Sequence, residues 1–276
     1  MSILPPGLHI VATPIGNLGD LSPRAADALR HADRILAEDT RVTAKLLSHI
    51  GAKVPMSRYD DHTSDAERER IVAQLGDQAI ALVSDAGTPL ISDPGYKLVR
   101  AARTAGHQVH TLPGPSAAIA ALTLAGLPTD RFLFLGFLPA KAKARSDAIA
   151  EVASVRATLV LYESGPRLGA TLASLAEQLG PRDGAVAREI SKLHEECVTS
   201  VLPELAERYA DAEPKGEIVI VVGPPLEAAE ATDEQLDAEL DKALKRLSPS
   251  RAAAEVAQML GVPRKRAYAR ALDRSK

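Results

Sequence analysis

The first 112 residues repeat one pattern: a short apolar run, a cluster of turn residues, then an amphipathic stretch. The apolar runs are Leu8 to Ala12, Arg34 to Ala37, a short one near Val54, Ala79 to Val83, and Val109 to Leu112. Each is short and ends in Gly, Pro, Asp, Ser or Thr, which predicts buried strands. Between them, Ser22-Pro23 opens a helix as N-cap and first-turn proline, with Ala25, Ala26, Leu29 and Ala32 on its apolar face. A second helix carries Leu46, Leu47 and Ile50 and stops at Gly51. Ser64, with Glu67 three residues on, has the spacing of a capping box, and a fourth helix spans Tyr96 to Ala105. Strands that alternate with helices predict a mostly parallel sheet.

The pattern changes after Pro113-Gly114-Pro115. Ser116 starts an alanine-rich helix that ends at Gly126, and helices are predicted at Ala140 to Val155 and Pro166 to Leu179. Strands are predicted at Phe132 to Phe137, Thr158 to Tyr162, Ala185 to Glu189, Cys197 to Leu202 and Gly216 to Val222, with a short helix between the last two. Several of these connections suit antiparallel pairing, so the second sheet is expected to be mixed. The fold class expected is α/β: an N-terminal α/β domain over 1–114, a C-terminal α/β domain over 115–225, and a small helical module over 226–276.

Charge separates that module from the rest. Seven acidic residues (Glu227, Glu230, Asp233, Glu234, Asp237, Glu239, Asp241) precede it with no basic one among them. From Lys242 to Lys276, ten Lys and Arg then face only Glu255 and Asp273. A linker or negative helix followed by a basic unit fits this reversal. Ser248-Pro249 begins one helix, Gly261 ends it and Pro263 begins another, a helix-turn-helix pattern with Arg264, Lys265, Arg266 and Arg270 on its second helix. Those four are the candidate nucleic-acid-binding residues; the plain alternative is a solvated helical hairpin.

The totals narrow the class. The 276 residues carry a net charge of −3, aromatics make up 3% with no Trp, and one cysteine, Cys197, rules out an internal disulfide. No apolar segment reaches the roughly 18 residues of a membrane span, and no export leader is visible, so a soluble cytoplasmic protein is expected.

The densest turn chemistry lies in VSDAGTPLISDPG (83–95), directly after the strand Ala79 to Val83. Loops of this kind at the carboxyl edge of a sheet are where α/β proteins place ligands. With VATPIGNLGD (11–20) and LPGPSAAIAAL (112–122), supported by Tyr162-Glu163-Ser164 and GEIVIVVG (216–223), it resembles the tetrapyrrole-methylase superfamily of S-adenosylmethionine-dependent methyltransferases. Within that superfamily the chain is most similar to the branch acting on small-subunit ribosomal RNA. The superfamily's Gly-x-Gly-x-Gly-Asp loop is replaced by Ala12-Thr13-Pro14-Ile15-Gly16-Asn17, and its Gly-Gly-Asp-Pro by Val83-Ser84-Asp85-Ala86. Both departures point away from porphyrinoid methylases and agree with the ribosomal branch.

The resemblance implies a cofactor cleft between the two α/β domains, S-adenosylmethionine as cofactor, and 2′-O-methylation of a cytidine in the decoding region of small-subunit rRNA. It also implies a homodimer and a substrate within the small ribosomal subunit. It places cofactor contacts at Pro14, Ile15, Gly16, Asp85, Gly87, Thr88, Ser116, Ala117, Tyr162 and Gly216.

Methyl transfer to a ribose oxygen needs alignment and help in removing the hydroxyl proton. Asp39 with Arg41, directly after a strand, and Glu163 are the candidate catalytic residues; Asp60, His62, Asp93, Arg188, Glu189 and Lys192 share the predicted strand ends. Asp39 also fits a plain helix N-cap. No metal is expected, because no cluster has ligand spacing and the reaction needs none. Two rival functions remain: methylation of a small corrinoid, tetrapyrrole or protein side chain in the same cleft, and a ligand-sensing nucleic-acid-binding regulator.

Overall fold

The computed structural model describes residues 4–225 and 231–275. The chain forms two compact units, Met1–Pro225 and Leu226–Lys276.

The larger unit begins with a five-stranded sheet made of β1 (Gly7–Val11), β2 (Arg34–Ala37), β3 (Met56–Arg58), β4 (Ala79–Val83) and β5 (Val109–Leu112). Its order is β3-β2-β4-β1-β5 and every pairing is parallel. Helices α1 (Pro23–His31), α2 (Thr40–His49), α3 (Asp65–Gln74) and α4 (Tyr96–Thr104) cover both faces. Alternate residues of β4 serve the two sides. Ile80 and Leu82 pack with Ile71 and Leu98, whereas Ala81 and Val83 pack with Leu29 and Leu46. The third strand begins later than the run near Val54 suggests. Pro55 accepts from the Ile35 N–H but has no N–H of its own, and the paired residues follow it. Ser64 caps α3 by accepting from the Glu67 N–H at 3.2 Å.

The second sheet contains β6 (Phe132–Phe137), β7 (Thr158–Ser164), β8 (Asp183–Arg188), β9 (Glu196–Val201) and β10 (Glu217–Val222). Its order is β6-β7-β10-β8-β9, with β6 and β7 parallel and the other pairs antiparallel. One face packs on α6 (Ala142–Val152), α7 (Gly165–Leu179) and α8 (Leu202–Arg208); the other packs on α5 (Ala117–Leu124). Ile15, from the loop after β1, is buried in this last cluster and ties the first half to the second. β7 continues two residues past its expected end because Glu163 and Ser164 pair with Ile218 and Glu217 of β10. Glu163 is therefore a strand residue and not a loop residue.

The smaller unit consists of α9 (Asp233–Leu244), α10 (Pro249–Leu260) and α11 (Arg264–Arg274) around a core that includes Leu236, Leu240, Val256 and Ala267. From Asp233 onward the acidic run is helical, started by a full capping box between Thr232 and Gln235. Glu227 and Glu230 of that run, and Lys276, lie outside the described residues. Gly261 ends α10 with φ of 67°.

Candidate active site

The carboxyl ends of β1, β2, β4 and β5 open towards the second sheet, and a cleft enclosing about 820 Å³ of space, part of it open to solvent, lies there. Its floor is the loop after β4. Thr13 and Gly87 exchange backbone hydrogen bonds of 2.8 and 3.1 Å, which lock the loops after β1 and β4 together. Thr88 Oγ1 donates to Pro115 O at 3.0 Å and fixes the start of the segment leading to α5.

Further along that loop, Leu90 and Ser92 adopt left-handed backbone angles, φ 76° and 65°, which L side chains adopt only at a cost. Opposite them β6 is irregular. Its register shifts between Phe134 and Gly136, and Gly136 takes φ of 61°. A Cβ on Gly136 would stand 3.0 Å from Ser92 Oγ, so glycine at the bulge leaves room for the loop to approach it closely. The outcome is an apolar lip on the cleft: Ile91 and Phe137 both line it while 42% and 54% exposed. Phe137 and Phe134 meet the Tyr162 ring edge-on, at 5.7 and 4.9 Å between centroids.

Carboxylates dominate the cleft's polar lining. Glu38, Asp85, Asp93 and Glu217 all border it, and among the described residues only Glu217 forms an ion pair, with Lys192 at 3.8 Å. Burial, reinforced by the neighbouring Glu38, pushes the Asp93 carboxyl up to about 6, although the Ser84 hydroxyl pulls the other way. Glu38 is also raised, by burial and then by Asp85. Burial raises the Tyr162 phenol as well.

Of the expected cofactor contacts, Ile15, Asp85, Gly87, Thr88, Ser116, Ala117 and Tyr162 line this cleft. Pro14, Gly16 and Gly216 are not among its lining residues. Gly16 packs against the Lys192 side chain, and Gly216, with φ of 99°, leaves the space taken by the Glu189 carboxylate. Lys192 in turn donates to Glu189 Oε1 at 2.9 Å. These two glycines thus belong to a seam beside the cleft, together with Glu189 and Lys192. Arg188 is similarly committed, to Glu196 at 2.6 Å.

The catalytic expectations divide. Glu163 borders the cleft, but its side chain is fully buried and alternation along β7 puts it on the face opposite Tyr162. It accepts from Ser164 N–H at 2.8 Å and Thr171 Oγ1 at 2.7 Å, and pairs with Arg167 at 3.3 Å. Such a carboxylate anchors β7 to α7, a structural use that competes with the catalytic role expected of Glu163. Asp39 caps α2 and accepts from Nε and Nη2 of Arg41, the latter at 2.6 Å. Those bonds hold its carboxyl down at about 2, so it is a poor proton acceptor. Arg41 remains 87% exposed in a second depression that shares Glu38 and Asp85 with the cleft. Asp60 and His62 form a turn in which Asp60 accepts from the His62 N–H. Glu217, Ile91 and Phe137 were not singled out from the sequence, and Glu38 was noted only as part of the segment Glu38-Asp39-Thr40-Arg41. Glu38 had the same signal as Asp39, a position immediately after a strand, but its burial depends on the fold.

The four basic residues of α11 also divide. Arg266 and Arg270 are tied to aspartates of α9. Arg264 and Lys265 border a separate depression with Ser250 and Tyr268. Among the described residues no group of three or more His, Cys, Asp or Glu is placed to hold a metal ion, and no helix is long and apolar enough to cross a membrane.

Residues 7–206 match the family Tetrapyrrole (Corrin/Porphyrin) Methylases, and residues 230–275 match the RsmI C-terminal HTH domain. The chain is 55% identical over 271 residues to Ribosomal RNA small subunit methyltransferase I of Erythrobacter litoralis, covering 98% of this chain and 96% of that one.

The chain belongs to this family of methylases.

Its likeness extends to the protein of the same name from Escherichia coli O157:H7, at 44% identity over 96% of this chain and 94% of that one. Among solved structures, diphthine synthase superposes with a TM-score of 0.61 at 15% identity, covering 78% of this chain and 89% of that one. Uroporphyrin-III C-methyl transferase from Thermus thermophilus, complexed with S-adenyl homocysteine, gives a TM-score of 0.53 at 21% identity, covering 79% and 97%. These two share the family's α/β architecture with this chain, whereas the family member from Erythrobacter litoralis also matches it across the C-terminal unit.

Proposed function

We propose that this protein transfers a methyl group from S-adenosylmethionine to the ribose 2′-oxygen of a cytidine in the decoding region of small-subunit ribosomal RNA. The names of its family relatives support the RNA substrate. The observation that carries the reaction is the group of partly buried, unpaired carboxylates at the strand ends, led by Asp93.

The residues present fit the cofactor. The cleft lies between the strand-end loops of the first sheet and Tyr162 of the second. Its negative lining complements a cation, and a cation there offsets the repulsion between Glu38, Asp85 and Asp93. S-adenosylmethionine supplies a methyl group already activated on a positively charged sulfur. Asp85, Thr88, Ser116, Ala117 and Tyr162 would hold it, on loops pinned by the Thr13–Gly87 bridge. Positioning of this kind is worth as much as about 7–11 kcal/mol in well-aligned systems.

The ribose hydroxyl also has to lose its proton. Asp93, with a carboxyl pushed up to about 6, is ionised at neutral pH and still basic enough to accept it. Glu38, beside it, keeps that basicity raised. The apolar lip of Ile91 and Phe137 provides a surface for the nucleobase attached to the reacting ribose. The C-terminal unit adds cationic contacts to the RNA. A ribosomal substrate places the protein in the cytoplasm, and the resemblance supports action as a homodimer.

The test is incubation with methyl-labelled S-adenosylmethionine and small ribosomal subunits that lack the modification. Label is expected in the ribosomal RNA. Cofactor binding without label in the RNA of either intact subunits or free rRNA would overturn the assignment.

A further inference from the structure

The basic helix α11 carries its charge on two faces with different fates. Arg266, Arg270 and Arg274 recur every four residues, and so do Asp233, Asp237 and Asp241 on α9. The two rows interlock. Arg266 reaches Asp233 at 2.8 Å and the Ala231 carbonyl at 2.9 Å. Arg270 reaches Asp233 at 2.8 Å and Asp237 at 2.5 Å, and Arg274 reaches Asp237 at 3.1 Å and also Asp241. Three arginines against three aspartates make a seam with no net charge.

What remains outward is different chemistry. Arg264 and Lys265, in the first turn of α11, form no ion pair among the described residues. One turn on, the Tyr268 ring is exposed, and Ser250 in the first turn of α10 completes an open notch with about 510 Å³ of space, part of it open to solvent. Reading a duplex groove with a helix uses donors along successive turns. Beyond its first turn, α11 has committed its arginines to α9.

We propose that this notch, and not the arginine face of α11, is the RNA-contacting surface of the C-terminal unit, and that it holds a single-stranded segment. Arg264 and Lys265 contact phosphates, and a base stacks on Tyr268. Cations beside an exposed aromatic ring are the usual means of holding an unpaired strand without reading its sequence. Helix α9 acts as the internal counter-charge that confines contact to the notch. The inference rests on RNA being the partner, as proposed above.

The experiment measures binding of the full-length protein to a short fluorescent single-stranded RNA and to duplex DNA of equal length, across a salt series. In R264A/K265A the slope of log affinity against log salt for RNA is expected to shrink by about 1.4, at roughly 0.7 per lost phosphate contact. Tyr268→Ala is expected to weaken RNA binding about 10-fold while Tyr268→Phe restores it, since stacking needs the ring and not the hydroxyl. All these positions are exposed, and circular dichroism checks that the helices persist. An unchanged salt slope in R264A/K265A, equal binding by Tyr268→Ala and wild type, or tighter binding to duplex DNA than to RNA would overturn the notch. A wild-type protein with no affinity for RNA would overturn the RNA reading itself, a result distinct from these.

Discussion

Glu38, Asp85 and Asp93 converge on the cleft and form no ion pair among the described residues, whereas Asp233, Asp237 and Asp241 of the C-terminal unit each meet an arginine. The consequences for the carboxylates are opposite. In the cleft, burial and mutual repulsion raise Asp93 and Glu38; in the seam, hydrogen bonds from Arg270 and Arg274 lower Asp237 and Asp241. A fold gains nothing by leaving partly buried acids unpaired, so such a group marks a place arranged for a cation and for proton transfer. Paired acids on a helix surface organise architecture instead. On the proposed reading the same residue type does chemistry in one unit and alignment in the other.

The sharpest way to break this comparison is to remove the proposed base. Asp93→Asn is expected to lower kcat by about 10²–10⁴-fold with cofactor affinity nearly unchanged. In the wild type the active form is ionised Asp93, so the rate should hold above pH 6 and decline as pH falls through about 6. The sign for stability is the reverse. A carboxyl raised in the fold favours the protonated native state, so its contribution is present at low pH and is lost as pH rises from about 4 to about 6. A flat pH–rate profile between 5 and 7, values chosen to bracket about one unit on either side of that titration, would assign proton removal elsewhere.

Glu163→Ala tests the opposite assignment within the same strand. Removing a fully buried carboxylate from Ser164, Thr171 and Arg167 should cost about 2–4 kcal/mol in a denaturant titration. The molecules that remain folded should keep their kcat. A large kcat loss at unchanged stability would return Glu163 to the catalytic set.

The difference between Asp93 and Glu163 also shows what the residue order makes legible. A buried strand such as Ala79–Val83 follows from the apolar pattern alone, and its alternate positions pack on the two faces. The loop 83–95 was legible as a ligand loop from its density of turn residues. The two-residue extension of β7 was not, because it depends on register with β10, and it decides whether Glu163 faces the cleft or α7. The left-handed Leu90 and Ser92 were equally hidden, since ordinary side chains give no local sign of an angle that tertiary packing imposes. In the tail the four-residue spacing of Asp and Arg was present in the sequence. Which side of α11 meets α9 emerges only once the core of Leu236, Leu240 and Ala267 is packed.

Smaller effects sharpen the picture at its edges. Gly216→Ala places a side chain at φ of 99°, against the Glu189 carboxylate, and should cost about 1–3 kcal/mol, read as a lower Tm. Cofactor binding should be preserved, because Gly216 belongs to the seam beside the cleft. A selective loss of cofactor affinity would move that glycine into the site. Asp237→Asn removes one carboxylate from the charged row on α9 and should cost about 0.5–1 kcal/mol, less at high salt, measured by thermal unfolding of the full chain.

The central claim is that the unpaired acids of the cleft serve methyl transfer to a ribose hydroxyl. Its most direct test is the identity of the methylated nucleoside, obtained by digesting small-subunit rRNA after reaction with labelled S-adenosylmethionine and separating the products by mass spectrometry. The account predicts 2′-O-methylcytidine in wild-type reactions and its disappearance with Asp93→Asn. Label on a base carbon or ring nitrogen, or undiminished 2′-O-methylcytidine from Asp93→Asn, would contradict it.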